Sequence, residues 1–307
     1  MVAIASTTST CCVLRDPSRL EPPLPLHIST IGSDTTQPMR QDLVGAVLMR
    51  LGVERPSRDV AGLRSVYAAW CGSVPFDNTL KLMHTAEALP GPLPGSTADG
   101  FFDMWLEHGT GGTCWAGNGA LYDLLAALGF DVQRAIATML SAPPDKGPNH
   151  GSVIVTIDGG QWIADASILS GEPIRILGPE SDNGAGPLPR FEWLADKPAV
   201  IWRSLSAPDG FPCRIDRIGA DWDEWDRLHQ RTAAWGPFNY QLNARLLRGN
   251  ESFGAAQGQR FVFQPDGTLD VSPLEGEERT RFLIEDLGIS EEIAGSVPRD
   301  RSVSPRR

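Results

Sequence analysis

The stretch that most constrains this chain is Gly111-Gly112-Thr113-Cys114-Trp115-Ala116-Gly117-Asn118, which runs directly into Gly119-Ala120-Leu121-Tyr122-Asp123-Leu124-Leu125-Ala126-Ala127-Leu128-Gly129-Phe130. The paired glycines end whatever precedes them. Leu121, Leu124, Leu125 and Leu128 then recur at helical spacing until Gly129 stops the run. Cys114 is therefore expected at or just before a helix N-terminus. Unpaired backbone N–H groups and the positive end of the helix dipole favour a thiolate there, the form of cysteine that attacks a carbonyl carbon. Taken alone, the same cysteine also fits as a small apolar side chain opening a buried helix. The rest of the chain separates the two readings.

With 307 residues, 41% hydrophobic and 21% charged, the chain can bury a full core in two or three closely packed subdomains. A formal net charge of −11 opposes nucleic acid or an anionic membrane as the main partner, because the Lys/Arg surface that neutralises phosphate is missing. No apolar run reaches the length of a membrane span, and residues 2–5 are too short for a signal-peptide core. Five cysteines, Cys11, Cys12, Cys71, Cys114 and Cys213, make an odd set without framework spacing, which fits reduced thiols in a cytoplasm.

Residues 1–38 are rich in Ser, Thr and Pro without apolar periodicity and read as a disordered leader; Met39 offers a second possible start. From Gln41 the pattern is helical, with Leu43, Val44, Val47, Leu48 and Leu51 on one face and Gly52 at the end. Leu63, Val66, Tyr67 and Trp70 repeat that face before Val74-Pro75-Phe76-Asp77-Asn78. Residues 85–100, with three prolines and three glycines, read as an exposed loop. Residues 202–214 and 260–271 look strand-rich, 275–287 look like a short terminal helix, and 299–307 form a basic, solvated tail.

After the Cys114 helix the period changes to two. Phe130, Val132, Ile136 and Leu140 alternate along a candidate strand, and residues 141–148 form a loop. Residues 152–157 and 161–167 flank Asp158-Gly159-Gly160, where Asp-Gly supplies the positive φ angles of a tight hairpin turn. Setting Ile157 opposite Gly160 places Asp165 opposite Ser152. His150 then lies on the same face, diagonal to the Asp165 carboxylate and within reach of a hydrogen bond. Cys114, His150 and Asp165 together supply a nucleophile, a base and an orienting acid. His84, His108 and His229 show no metal spacing, there is no Cys-x-x-Cys, and no metal is assigned.

The order Cys114, His150, Asp165 closely resembles the arylamine N-acetyltransferase family. Gly111-Gly112-Thr113-Cys114 with Asn118 is similar to its Arg-Gly-Gly-x-Cys-x-x-x-Asn, and Val74-Pro75-Phe76-Asp77-Asn78 to its Pro-Phe-Glu-Asn motif. Arg50-Leu51-Gly52 and Gly236-Pro237-Phe238-Asn239 extend the likeness from about Leu43 to about Ile293. The resemblance implies an α+β fold with a papain-like Cys-His-Asp core. It divides the chain into the leader (1–38), a helical bundle with the nucleophile (39–129), a central β-barrel with His and Asp (130–235), a C-terminal α/β lid (236–295) and a disordered basic tail (296–307).

The implied activity is ping-pong N-acetyl transfer, with acetyl-CoA as acyl donor, a small-molecule arylamine or hydrazine as acceptor, and no metal. Cys114, His150 and Asp165 would be catalytic; Trp115, by its position next to Cys114, and Phe76 are expected to line the substrate. Three departures bear on the walls of the site: Thr110 where the family has Arg, Asp77 where it has Glu, and Ala166-Ser167-Ile168-Leu169 in place of a Val-Gly-Phe-Gly type segment. Other readings of the same residues are a transglutaminase-like or papain-like cysteine hydrolase, an amide-forming acyltransferase using another acyl thioester, or a binding protein that has kept the scaffold.

Overall fold

The structure is a computed structural model; it describes residues 39–141, 147–178, 187–234 and 236–302. The expected leader lies outside these residues.

Four of the first five helices begin or end where the sequence supplies the chemistry. Helix α1 (Gln41–Leu51) buries Leu43, Val44, Val47, Leu48 and Leu51 and ends on Gly52 at φ 70°, whose N–H returns to the Leu48 and Met49 carbonyls. Asp59 caps α2 (Val60–Ser73) by accepting the Gly62 N–H at 2.8 Å. A two-residue strand β1 (Phe76–Asp77) leads into α3 (Thr79–Ala86), and Thr97 caps α4 (Ala98–His108), which closes on Gly109 at φ 73°. Helix α5 (Cys114–Ala127) ends before Gly129 at φ 87°. Leu63, Val66, Tyr67, Trp70, Phe102, Trp105, Leu121, Leu124 and Leu125 are buried together, with Trp70 stacked on Phe101 and edge-on to Phe102. Each large apolar side chain so withdrawn contributes roughly 1.5–3 kcal/mol. The loop expected over residues 85–100 is shorter and less exposed than its composition suggests: α4 already begins at Ala98, and Leu93 is only 2% exposed.

The second half of the chain forms two antiparallel sheets. Strands β2 (Asp131–Met139), β3 (His150–Ile157), β4 (Gly160–Ala164), β5 (Ile174–Arg175), β6 (Arg190–Leu194), β7 (Lys197–Ser204) and β8 (Ala207–Ile218) are ordered β5-β4-β3-β2-β8-β7-β6. Because β5 and β6 approach each other, this sheet is nearly closed into a barrel. The β3–β4 hairpin has the expected two-residue turn, with Asp158 and Gly159 at φ 50° and 74° and Ile157 opposite Gly160.

Helix α6 (Trp222–Arg231), which the periodicity analysis did not pick out, follows the barrel. Strands β9 (Asn243–Arg248), β10 (Glu251–Ala256), β11 (Gln259–Phe263) and β12 (Leu269–Pro273) complete a second sheet in the order β1-β9-β10-β11-β12. The pairing of Phe76 with Arg245 stitches the helical region to this sheet.

The terminal helix expected over 275–287 is α7 (Gly276–Arg281) continued by a π-helical turn (Phe282–Asp286), and α8 (Glu291–Ser296) follows. The tail expected to be free from residue 296 is instead held as far as Arg301. The Arg301 N–H donates to the Tyr240 carbonyl at 2.8 Å, and Asp300 accepts from the Leu242 N–H and from Arg279. Among the described residues no helix is long and apolar enough to cross a membrane.

Candidate active site

Cys114 is the first residue of α5, and two glycines make that position possible. A Cβ on Gly111 would lie 1.7 Å from the Pro75 carbonyl oxygen, and one on Gly112 would lie 2.8 Å from the Ala116 Cβ. Backbone thus packs against backbone where Phe76 bridges Gly112. Thr113 begins the helix without a side-chain cap, which leaves the N–H groups of the first turn beside the sulfur. Cys114 is 7% exposed, its Sγ 3.8 Å from the Asn149 carbonyl oxygen.

His150 opens β3 and Asp165 follows β4, so the tight hairpin brings them together. Nε2 of His150 lies 2.7 Å from Oδ2 of Asp165, and both side chains are about 2% exposed. Burial alone would push the His150 pKa down; the Asp165 carboxylate, with a smaller part from the Cys114 sulfur, more than reverses this and lifts it to about 10. For Asp165, burial would favour the neutral acid. His150, the Ser152 hydroxyl and the Ile168 N–H overcome it, and the pKa falls to about 2. The arrangement is therefore a buried imidazolium–carboxylate pair facing a cysteine at a helix N-terminus.

The surrounding shell fixes that pair. Oδ1 of Asp165 accepts the N–H groups of Ser167 and Ile168 at 2.8 and 3.0 Å, so the departing segment 166–169 still holds the carboxylate through its backbone. Asn118 Nδ2 donates to the Gly151 carbonyl at 2.7 Å and to Asp165, while its Oδ1 accepts the Ala166 N–H. Tyr67 Oη donates to the Asp165 carbonyl at 2.8 Å, and Arg245 donates to the Ser167 carbonyl. Tyr67, read from sequence only as part of an apolar helix face, and Arg245 were not expected at the site, since nothing in local spacing connects either to Asp165.

The two residues expected to line the substrate are in the core. Trp115 is 1% exposed and packs edge-on against Trp225 with ring centroids 5.0 Å apart; Phe76 packs on Phe238. The cleft beside Cys114 is walled by Leu80, Lys81, Pro94, His229, Asp77 and residues 111–113. Lys81 interrupts the apolar side of α3 next to Leu82 and Met83, a sequence signal that could have drawn notice. Asp77 is buried, its carboxylate accepting the N–H groups of Gly111 and Thr79 and the Thr79 hydroxyl. Thr110, where the resemblance calls for Arg, is fully buried and its hydroxyl has no partner among the described residues. Among those residues no group of three or more His, Cys, Asp or Glu could hold a metal ion.

Residues 59–183 match the N-acetyltransferase family model. Over 149 residues the chain is 30% identical to the arylamine N-acetyltransferase of Mycolicibacterium smegmatis, covering 45% of this chain and 51% of the relative. The chain thus spans about half the length of the curated relative it matches. In fold, a Mycobacterium smegmatis arylamine N-acetyltransferase variant superposes with a TM-score of 0.66 at 18% identity, covering 83% of this chain and 97% of the other. The Salmonella typhimurium enzyme gives 0.67 at 17% identity, over 84% and 98%. The Mycobacterium marinum enzyme solved in complex with CoA gives 0.67 at 17% identity, over 83% and 96%. Residues 59–183 are thus similar in sequence to the N-acetyltransferases, and more than four-fifths of the chain shares the fold of the arylamine N-acetyltransferases.

Proposed function

We propose that this chain is an acetyl-CoA-dependent N-acetyltransferase that passes an acetyl group through Cys114 to an arylamine or hydrazine. The observation that carries this reading is the 2.7 Å contact between His150 Nε2 and Asp165 Oδ2, facing a cysteine at the first residue of α5. The CoA complex of the Mycobacterium marinum relative supports a CoA thioester as donor. The free thiols of Cys71, Cys114 and Cys213 support a reducing, cytoplasmic setting.

In this reading the Cys114 thiolate attacks the thioester carbonyl, and the carbonyl electron pair moves onto oxygen beside the N–H groups of the first turn of α5. Collapse of the tetrahedral intermediate breaks the C–S bond to CoA, whose sulfur takes the proton from the His150 imidazolium. Acylation also removes the Cys114 thiol group, whose hydrogen bond is one of the causes that hold a proton on His150. The neutral ring then accepts a proton from the attacking amine nitrogen as the new C–N bond forms, and Cys114 leaves as the thiolate. Asp165 keeps the ring oriented throughout.

The test is the intact mass of the protein mixed with acetyl-CoA alone. One acetyl group on Cys114 is expected, lost on adding an arylamine as the acetylated amine appears. Continuous release of CoA without an amine would mean hydrolysis instead, and no adduct on a reduced Cys114 would reject acyl transfer.

A further inference from the structure

Beside the triad, the cleft holds polar groups that acyl transfer through Cys114 leaves unused. Lys81 is 6% exposed, and its ammonium makes one hydrogen bond among the described residues, to Thr232 Oγ1 at 2.8 Å. An ammonium carries three donors, so two remain, and no carboxylate is ion-paired with it among the described residues. His229 is 2% exposed and lines the same cleft, its ring nitrogens without a hydrogen-bond partner among the described residues. The acidic group on the wall, Asp77, has its oxygens committed to Gly111 and Thr79. A buried ammonium with no carboxylate paired to it is unfavourable until a complementary group arrives.

We propose that Lys81 and His229 form a recognition site for a carboxylate carried by the acyl group or by the acceptor amine. The proposal rests on the transferase reading for its substrate, though not for the site itself. The cleft is about 10 Å³, room for one water-sized group such as a single carboxylate oxygen. Lys81 supplies the charge. Burial and the Lys81 charge push the His229 pKa down to about 3, so at neutral pH the ring is uncharged and offers one N–H donor. Thr113, the residue before Cys114, lines the same cleft, which puts the site beside the acyl-bearing sulfur.

Alkylation tests the site without CoA or amine. Iodoacetate and iodoacetamide each deliver a CH2 carbon to Cys114 Sγ with loss of iodide, and only iodoacetate carries a carboxylate. In the full chain the iodoacetate rate is expected to saturate with concentration. The iodoacetate-to-iodoacetamide rate ratio is expected to fall tenfold or more in Lys81→Met, to fall partway in His229→Phe, and to be largely kept in Lys81→Arg. A ratio within twofold of wild type in a folded Lys81→Met overturns the proposal. Should that variant not fold, a wild-type iodoacetate rate that stays linear in concentration does the same.

Two substrate arms then identify the source. Succinyl-CoA against acetyl-CoA, read as acyl mass on Cys114, examines the donor; 4-aminobenzoate against aniline examines the acceptor. A preference for the charged member in either arm, lost in Lys81→Met, supports the proposal and names the source. Acylation without a preference in either arm overturns it. Absence of any acylation defeats the transferase reading, and the alkylation ratio still decides the anion site.

Discussion

Asn118 holds Asp165 directly and through its neighbour: the Asn118 amide donates to the Asp165 carboxylate at 3.3 Å and accepts the N–H of the next residue, Ala166, at 2.8 Å. The same amide holds the Gly151 carbonyl, next to His150. One side chain of α5, a turn beyond Cys114, thereby sets the relative position of His150 and Asp165.

Replacing Asn118 by Ala leaves the Gly151 carbonyl and the Ala166 N–H buried without these partners. Stability is expected to fall by roughly 1–3 kcal/mol for each buried group so left. Asn118→Asp is expected to be worse, because it sets a second carboxylate against Asp165. Urea midpoints of the two variants check the order, and a midpoint equal to wild type in either would refute the bridging role.

The opposite pKa shifts of His150 and Asp165 set a pH window. His150 is raised to about 10 from 6.5, so its contribution is full below about pH 6.5 and is lost as pH rises toward 10. Asp165 is lowered to about 2 from 3.8, so its contribution is full above about pH 3.8 and is lost as pH falls through 2. The pair is therefore expected to stabilise most between about pH 4 and 6.5. His150→Gln should flatten the alkaline decline in Tm between pH 6 and 9; an unchanged slope would mean that other groups carry it.

Lys81 has the reverse sign. Burial lowers it to about 8 from 10.5, so its ammonium opposes folding below about pH 8, and the penalty is relieved as pH rises toward 10.5. Lys81→Met is expected to raise stability at pH 7 by roughly 1–3 kcal/mol. The gain should shrink by pH 10. Denaturant melts at the two pH values measure the difference, and a loss of stability at pH 7 would show the ammonium to be compensated.

Two glycines should respond in opposite ways to alanine. The Gly111→Ala Cβ meets backbone at Pro75, where nothing flexible can yield, and the protein is expected not to accumulate folded. Gly45 lies inside α1 with nothing within 4 Å of its Cβ position, and Gly45→Ala is expected to stabilise by about 0.5–1 kcal/mol. Thermal melts of the two variants provide the check.

Much of the site was legible because its geometry is local. A two-residue Asp-Gly turn forces positive φ and a single register, and that register carries Asp165 to His150 by parity alone. The glycines before Cys114 and the leucines after it likewise set a helix start at Cys114, and Gly52 and Gly129 mark their helix ends through positive φ. The turn supplied by residues 166–169 was not legible in the same way, because it holds Asp165 with N–H groups that any side chain would present.

By itself, then, the sequence determined the α1, α2 and α5 helices, the helix start at Cys114 and the His150–Asp165 register, all of which follow from preferences within one or two elements. Tertiary structure alone decided what surrounds them. The pairing of Phe76 with Arg245 joins residues far apart in the chain, Trp115 turns inward onto Trp225, and His229 of α6 meets Lys81 of α3 at the cleft. The physical reason is that periodicity records which side of an element is apolar, while the neighbour that covers it is chosen by packing across the whole chain, even where that packing buries an ammonium.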